Sequence, residues 1–184
     1  MARRREQVLD AGIQVLGSAG ARGLTYQAVD AAAGVPPGTT SNCFRNRTAL
    51  IDGIVDHLQA LEHRDWEAFA TAADPADAGE LADAVTQFLR YATGPERART
   101  AARFALYLES WARPELRPAL TRSRETVVGW GAEWLRRIGS PAPRRHCAIL
   151  CDYLDGVAFR QLAFPAEDFD PGPGLRELLG GLLD

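Results

Sequence analysis

Residues Leu24 to Arg47, LTYQAVDAAAGVPPGTTSNCFRNR, carry the pattern of two short helices joined by a turn. Thr25 stands before the apolar run Ala28, Val29 and Ala32, and its hydroxyl is suited to accept an orphan backbone N–H in the first turn of a helix starting at Tyr26. Gly34 suits the left-handed conformation by which a chain leaves a helix, and Val35 follows with an apolar side chain for the core. Pro36-Pro37 has φ already near its helical value, so the second helix is predicted from Pro37 to about Cys43. This second segment lacks the long apolar stripe of a purely structural helix. Its run Gly38-Thr39-Thr40-Ser41-Asn42 presents short polar groups of the kind that approach base edges and phosphates.

Charge separates this end of the chain from the rest. The 184 residues carry a formal net charge of −3, yet residues 1–50 hold six Arg against three acids, leaving this segment at +3 and the remainder at −6. Arg3, Arg4 and Arg5 are positioned to neutralise phosphates or enter a minor groove, or to form a solvated N-terminal run of charge. With 46% hydrophobic and 24% charged residues, the composition is that of a soluble globular chain. No continuous apolar run has the length of a membrane span, and the basic N-terminus lacks the apolar region of a signal peptide. Cys43, Cys147 and Cys151 make an odd number and are expected to be reduced, consistent with the cytoplasm.

Helical periodicity extends along the whole sequence. Val8, Ala11, Gly12, Val15 and Ala19, with Leu9, Ile13 and Leu16 beside them, give a broad apolar face to a helix over residues 5–19 that clamps the helix pair. Asn46 is placed to cap a long helix from Arg47 to about Ala70. Further helices are predicted over 80–93, 96–112, 115–138, 144–164 and 173–183, separated by Gly and Pro. In the helix over 96–112, Phe104, Ala105, Leu108 and Trp111 share a face. With no strand-like alternation, the fold class is all-α with about nine helices, three in an N-terminal head and six in a body. The expected domains are residues 1–46 and 47–184, with 47–70 as the connecting helix.

The head resembles the DNA-binding domain of the TetR (tetracycline-repressor-like) family of bacterial transcription regulators. The shared order is an N-terminal helix, Leu24-Thr25, an Ala-rich helix, Ala33-Gly34-Val35, a Gly38-Thr39 segment reaching Phe44, then Arg47 with Ala49-Leu50 opening a long helix. The sequence departs from the family where Pro36 replaces Ser or Thr, Thr40 replaces Leu and Ser41 replaces Tyr. Loss of the Tyr weakens a phosphate contact, and Thr40 puts a hydroxyl into the small core.

The resemblance implies a homodimeric regulator, expected as a repressor, that binds double-stranded palindromic operator DNA and responds to an unidentified small-molecule effector. Thr25, Tyr26, Gln27, Pro37, Gly38, Thr39, Ser41, Asn42 and Arg47 are the expected DNA-binding residues: Thr39, Ser41 and Asn42 for bases or adjacent phosphates, Arg47 for a phosphate, and Thr25 to Gln27 for the backbone. The last two long helical segments, about 144–183, are expected to pair with their copies, because one recognition helix reads too few base pairs to be selective alone.

The family's helical bodies surround a ligand cavity, and such cavities are mostly apolar with a few fixed polar groups. The expected lining is Tyr91, Phe104, Tyr107, Trp111, Trp130 and Trp134, with Arg90 or Asp155 as polar anchors; ordinary core packing is the alternative for most of these aromatics. His146, Cys147, Cys151 and Asp155 do not make the closed four-ligand set of a structural zinc site, so buried apolar cysteines are expected and neither metal nor cofactor is. No phosphate loop, dinucleotide fingerprint or nucleophile elbow points to an enzyme. Two other classes remain open. One is a constitutive DNA-binding protein without effector control; the other is a helical small-molecule-binding protein that has lost DNA binding.

Overall fold

Thr25 and Gly34 bracket the second helix as their chemistry requires. The Thr25 hydroxyl accepts the Ala28 N–H at 3.1 Å, and Gly34 sits at φ 61°, ψ 36°. From there the Gly34 and Val35 N–H groups reach back to the carbonyls of Ala31 and Asp30, the double closure of a Schellman turn. The computed structural model describes residues 2–183; Met1 and Asp184, the outer ends of the two expected domains, lie outside the described residues. Among the described residues there are nine α-helices and no strand.

The helices are α1 (Ala2–Gly23), α2 (Tyr26–Ala33), α3 (Thr39–Cys43), α4 (Arg47–Ala72), α5 (Ala78–Thr93), α6 (Arg97–Ala112), α7 (Arg117–Arg137), α8 (Pro143–Ala163) and α9 (Gly172–Leu183), with a 3-10 turn over Pro114–Leu116. The helical backbone of α1 is interrupted at Gly20 (φ 66°, ψ −175°). The Asn46 side chain accepts the Ala49 N–H at 2.8 Å, capping α4. Asp77 does the same for α5 through the Glu80 N–H at 2.9 Å, and the Glu80 carboxylate reaches back to the Ala76 N–H.

One expectation is corrected at α3. Helix α3 begins at Thr39, two residues later than Pro37. Gly38 has φ 89° and ψ −4°, and the Thr39 N–H donates to the Pro36 carbonyl at 3.2 Å. These are the features of a type II turn with Pro37 and Gly38 as its central pair, a position that favours Pro first and Gly second. Pro37 therefore serves the turn, not the first helical position.

The chain forms two compact units, residues 1–62 with 97–121 and residues 63–96 with 122–184. The first unit has one core. Val8, Ile13 and Leu16 of α1, Val29 of α2, Phe44 just before α4, Leu50, Ile51, Ile54 and Leu58 of α4, and Ala102 and Leu106 of α6 belong to one buried cluster. Helices α1 and α6 approach closely, because Gly17 lies against the Ala98 backbone. Thr100, Ala102 and Leu106 of α6 are buried. Leu108 and Trp111, which share a face in the sequence pattern, point to solvent, with Trp111 76% exposed.

The second unit is held by Leu81, Val85 and Leu89 of α5, Trp134 and Leu135 of α7, Cys147 and Leu150 of α8, and Leu175 and Leu179 of α9, all buried. Ion pairs fasten its surface. Arg176 of α9 meets Asp83 of α5 at 2.5 Å, Arg124 of α7 meets Asp152 of α8 at 2.7 Å, and Arg137 pairs with Asp74. No described helix is long and apolar enough to cross a membrane.

Candidate nucleic-acid interface

The short helix α3 is rooted by one buried carboxylate. Asp30, in the last turn of α2, is 3% exposed, and Thr40, in the first turn of α3, is fully buried. One Asp30 oxygen accepts the Thr40 hydroxyl at 2.5 Å and the Thr40 N–H at 2.7 Å. The other accepts the Gly38 N–H at 2.7 Å. Burial acts to raise the Asp30 pKa, but the Thr40 hydroxyl and the two amides outweigh it and hold the carboxyl below its ordinary value. The hydroxyl that Thr40 brings into the small core is thus paired, and costs none of the penalty of an unsatisfied buried group.

On the opposite side of this root, α3 is open. Ser41 and Asn42 are exposed, as are Thr25 and Gln27 at the start of α2 and Pro37 in the turn. Thr39 and Ser41 turn their hydroxyls back on their own turn, donating to the carbonyls of Pro36 at 2.6 Å and Gly38 at 2.9 Å. Each hydroxyl oxygen keeps the capacity to accept a further hydrogen bond. Half-buried Tyr26 donates its hydroxyl to the Phe44 carbonyl at 2.9 Å, tying the start of α2 to the end of α3.

Arg47 is held within the first unit. Its guanidinium donates to the Ala21 carbonyl at 2.6 Å and meets Glu109 at 3.5 Å. Arg45, between α3 and α4, is exposed, and so are Arg3 and Arg4. Arg5 lies over the Phe44 ring, 4.9 Å from its centroid. The nine residues singled out in the sequence therefore fall on α2, the turn, α3 and the start of α4. Asp30, which roots α3, is not among those nine; in sequence it is one acid in an Ala-rich helix, and its partners lie eight and ten positions away.

The aromatic residues of the body divide between the two units. Phe104, Tyr107 and Trp111 belong to the first, where Phe104 and Tyr107 meet edge to face at 5.9 Å. Arg90, Tyr91, Trp130, Trp134 and Asp155 belong to the second. There, Trp66, Phe69 and Phe88 form a cluster with centroid separations of 4.3 to 5.6 Å, joined by Trp134 edge to face on Phe69 at 5.4 Å. Trp130 stacks at a tilt on His63.

A cleft of about 380 Å³ opens beside this cluster between α4 and α5, lined by Asp65, Ala68, Phe69, Gln87, Phe88 and Tyr91. Arg90 points elsewhere, pairing with Asp170 at 3.1 Å. Asp155 lies 3.7 Å from Arg124. His63, Trp66 and Phe69 were missed in sequence because they sit on the last turns of α4, where polar neighbours blur the apolar stripe. Among the described residues no three His, Cys, Asp or Glu side chains gather as a metal site.

Residues 76–184 match the family model of the tetracyclin repressor-like C-terminal domain. The chain belongs to the TetR family. Solved structures extend the likeness over its whole length. A TetR-family member from Streptomyces coelicolor A3 is 28% identical, with 98% of each chain covered and a TM-score of 0.73. The multidrug binding protein EbrR complexed with ethidium is 29% identical, with 97% of each chain covered and a TM-score of 0.69. A transcriptional regulator from Rhodococcus sp. Rha1, 19% identical over 97% of this chain and 95% of its own, shares the fold with a TM-score of 0.77. The sequence matches no curated protein. TetR-family membership makes this a transcription-regulator fold of the DNA-binding, ligand-binding kind.

Proposed function

We propose that the chain is a homodimeric, sequence-specific repressor that binds a palindromic operator and leaves it when a small molecule binds the body. The observation that carries this reading is the polarity of α3: one face rooted through Asp30 and Thr40, the other presenting Ser41 and Asn42 to solvent beside Gln27. Residues 1–46 are the DNA-reading head, and residues 47–184 bind effector and partner. Asn42, Ser41 and Thr39 contact base edges or adjacent phosphates, while Thr25, Tyr26, Gln27, Pro37 and Gly38 follow the backbone. Arg47 takes a phosphate by exchanging its weak contact to Glu109 for a stronger anion at the N-terminus of α4.

Dimerisation through α8 and α9 is supported by Ile149 and Phe159, large apolar side chains exposed on α8, and by the open space beside Gly180 and Gly181 of α9. An effector that prefers a conformation with unfavourably spaced heads lowers operator affinity by linkage.

For the effector we propose a flat aromatic cation. EbrR is a multidrug binding protein, with structures complexed with ethidium and with proflavin. Here the rings of Phe69, Phe88 and Tyr91 offer stacking faces, and Asp65 offers a carboxylate, in the α4–α5 cleft. Ethidium fluorescence should rise saturably with protein, and Phe88→Ala should weaken that binding by about tenfold, in line with the loss of one aromatic wall.

The direct test of DNA binding is fluorescence anisotropy against DNA from upstream of the coding sequence, with scrambled competitor and a salt series. Selective binding of two chains per site, weakened by an effector, supports the proposal. Selective binding that no effector alters points to constitutive control, and only sequence-blind binding at every site tried makes the body the working part.

A further inference from the structure

We infer that Asp30 is a positioning residue for operator recognition, acting through Gly38 and Thr40 to set the orientation of α3 before DNA arrives. The inference rests on the DNA-binding reading above and adds to it a residue that touches no DNA. Three observations carry it. The carboxylate is buried, so its role is internal. It accepts three hydrogen bonds, and all three donors belong to the Pro37–Gly38 turn and the first turn of α3. And α3 is five residues long, too short to hold its own orientation by backbone hydrogen bonds.

An apolar contact between α2 and α3 would bury the same area without fixing a direction. Two carboxylate oxygens bonded to three donors at 2.5 to 2.7 Å fix both the position and the rotation of α3 about its own axis. That rotation decides whether Ser41 and Asn42 point outward together. Recognition groups ordered in advance lose less entropy on binding, and the gain falls on the specific complex, where base edges must be met in register.

Charge and position make opposite forecasts, which is what allows a test. Asp30 is an anion close to the face proposed for DNA, so removing its charge should strengthen binding to every DNA sequence if electrostatics alone operated. As a positioning residue it has the reverse effect on the operator. In Asp30→Asn one carboxylate oxygen becomes an NH₂ group facing an amide or hydroxyl donor, α3 loosens, and selective affinity falls while non-selective affinity holds or rises.

Thr40 supplies a second arm. Thr40→Val keeps the shape and loses the hydroxyl; Thr40→Ser keeps the hydroxyl and loses a methyl group from the core. A merely structural role would rank the two variants by stability, whereas positioning ranks them by the hydroxyl.

The experiment selects an operator for the full chain from a random DNA library. It then measures affinity for that site and for scrambled DNA, at a temperature where circular dichroism shows each variant folded. Asp30→Asn and Thr40→Val should lower the ratio of selective to non-selective affinity by about tenfold, and Thr40→Ser should keep it near the original value. If Asp30→Asn does not fold, the Val and Ser pair decides. Unchanged ratios in Thr40→Val and in any folded Asp30→Asn, with an operator in hand, would overturn the inference and leave the DNA-binding reading standing. Failure of the unaltered protein to select any sequence would overturn both.

Discussion

Gly17 sits where α1 crosses α6, and replacing it with alanine sets two effects of opposite sign against each other. An added Cβ would stand 2.9 Å from the Ala98 carbonyl carbon and 3.1 Å from its Cα, and closer still to the carbonyl oxygen. Carbon atoms rest at roughly 3.5 to 4.0 Å, so the helices would have to part by about half an ångström or more. The obstacle is backbone, which cannot rotate aside as a side chain can. Overpacking of this kind costs about 1–3 kcal/mol, while Gly to Ala in a helix interior returns about 0.8–1 kcal/mol. Gly17→Ala should therefore be destabilised by up to about 2 kcal/mol, a fall of up to roughly 4–8 °C in thermal midpoint at roughly 2–4 °C per kcal/mol. Gly129, inside α7, has open space where a Cβ would go. Gly129→Ala serves as the control, and should rise in midpoint by the propensity gain alone. Thermal unfolding followed at 222 nm reads both. A Gly17→Ala midpoint equal to that of Gly129→Ala, above the unaltered protein, would refute the close α1–α6 crossing.

The Asp30 network makes stability depend on acid. A carboxylate held below its ordinary value of 3.8 by the Thr40 and Gly38 donors, against the opposing effect of burial, contributes stability that is complete above that value and is lost as pH falls through the folded pKa. The stability difference between the unaltered protein and Asp30→Asn should shrink as pH falls below 3.8; urea unfolding that shows a constant difference would count against it. Thr25→Ala removes the acceptor for the Ala28 N–H and should cost about 0.5–2 kcal/mol by the same assay. Phe159→Glu puts a charge on the exposed face of α8 and should yield a folded monomer in sedimentation velocity; a persisting dimer would move the interface elsewhere.

Local chemistry was legible and long-range pairing was not. Thr25, Gly34 and Asn46 act within a few residues of themselves, and each takes the role that its side chain or its freedom at positive φ dictates. Pro37 was misassigned because two local signals compete there: Pro at a helix start, and Pro-Gly at the centre of a type II turn. The closure from Thr39 to Pro36 decides for the turn. On α6 the sequence pattern favoured the largest apolar side chains, Leu108 and Trp111, yet the buried side carries Thr100, Ala102 and Leu106. Asp30 illustrates the remaining limit. An acid in an apolar helix has no sequence signature of its own until Thr40 and Gly38 are brought to it by the turn between them.

The central claim is that two copies of α3 enter successive major grooves of one operator. Hydroxyl-radical footprinting on the selected site, combined with methylation interference at guanine N7, tests it most directly. Two protected patches centred about 10–10.5 base pairs apart, or a multiple of that, with interference in the major groove of each half-site, are the expected result. A single continuous footprint without that period, or protection insensitive to major-groove methylation, would contradict it.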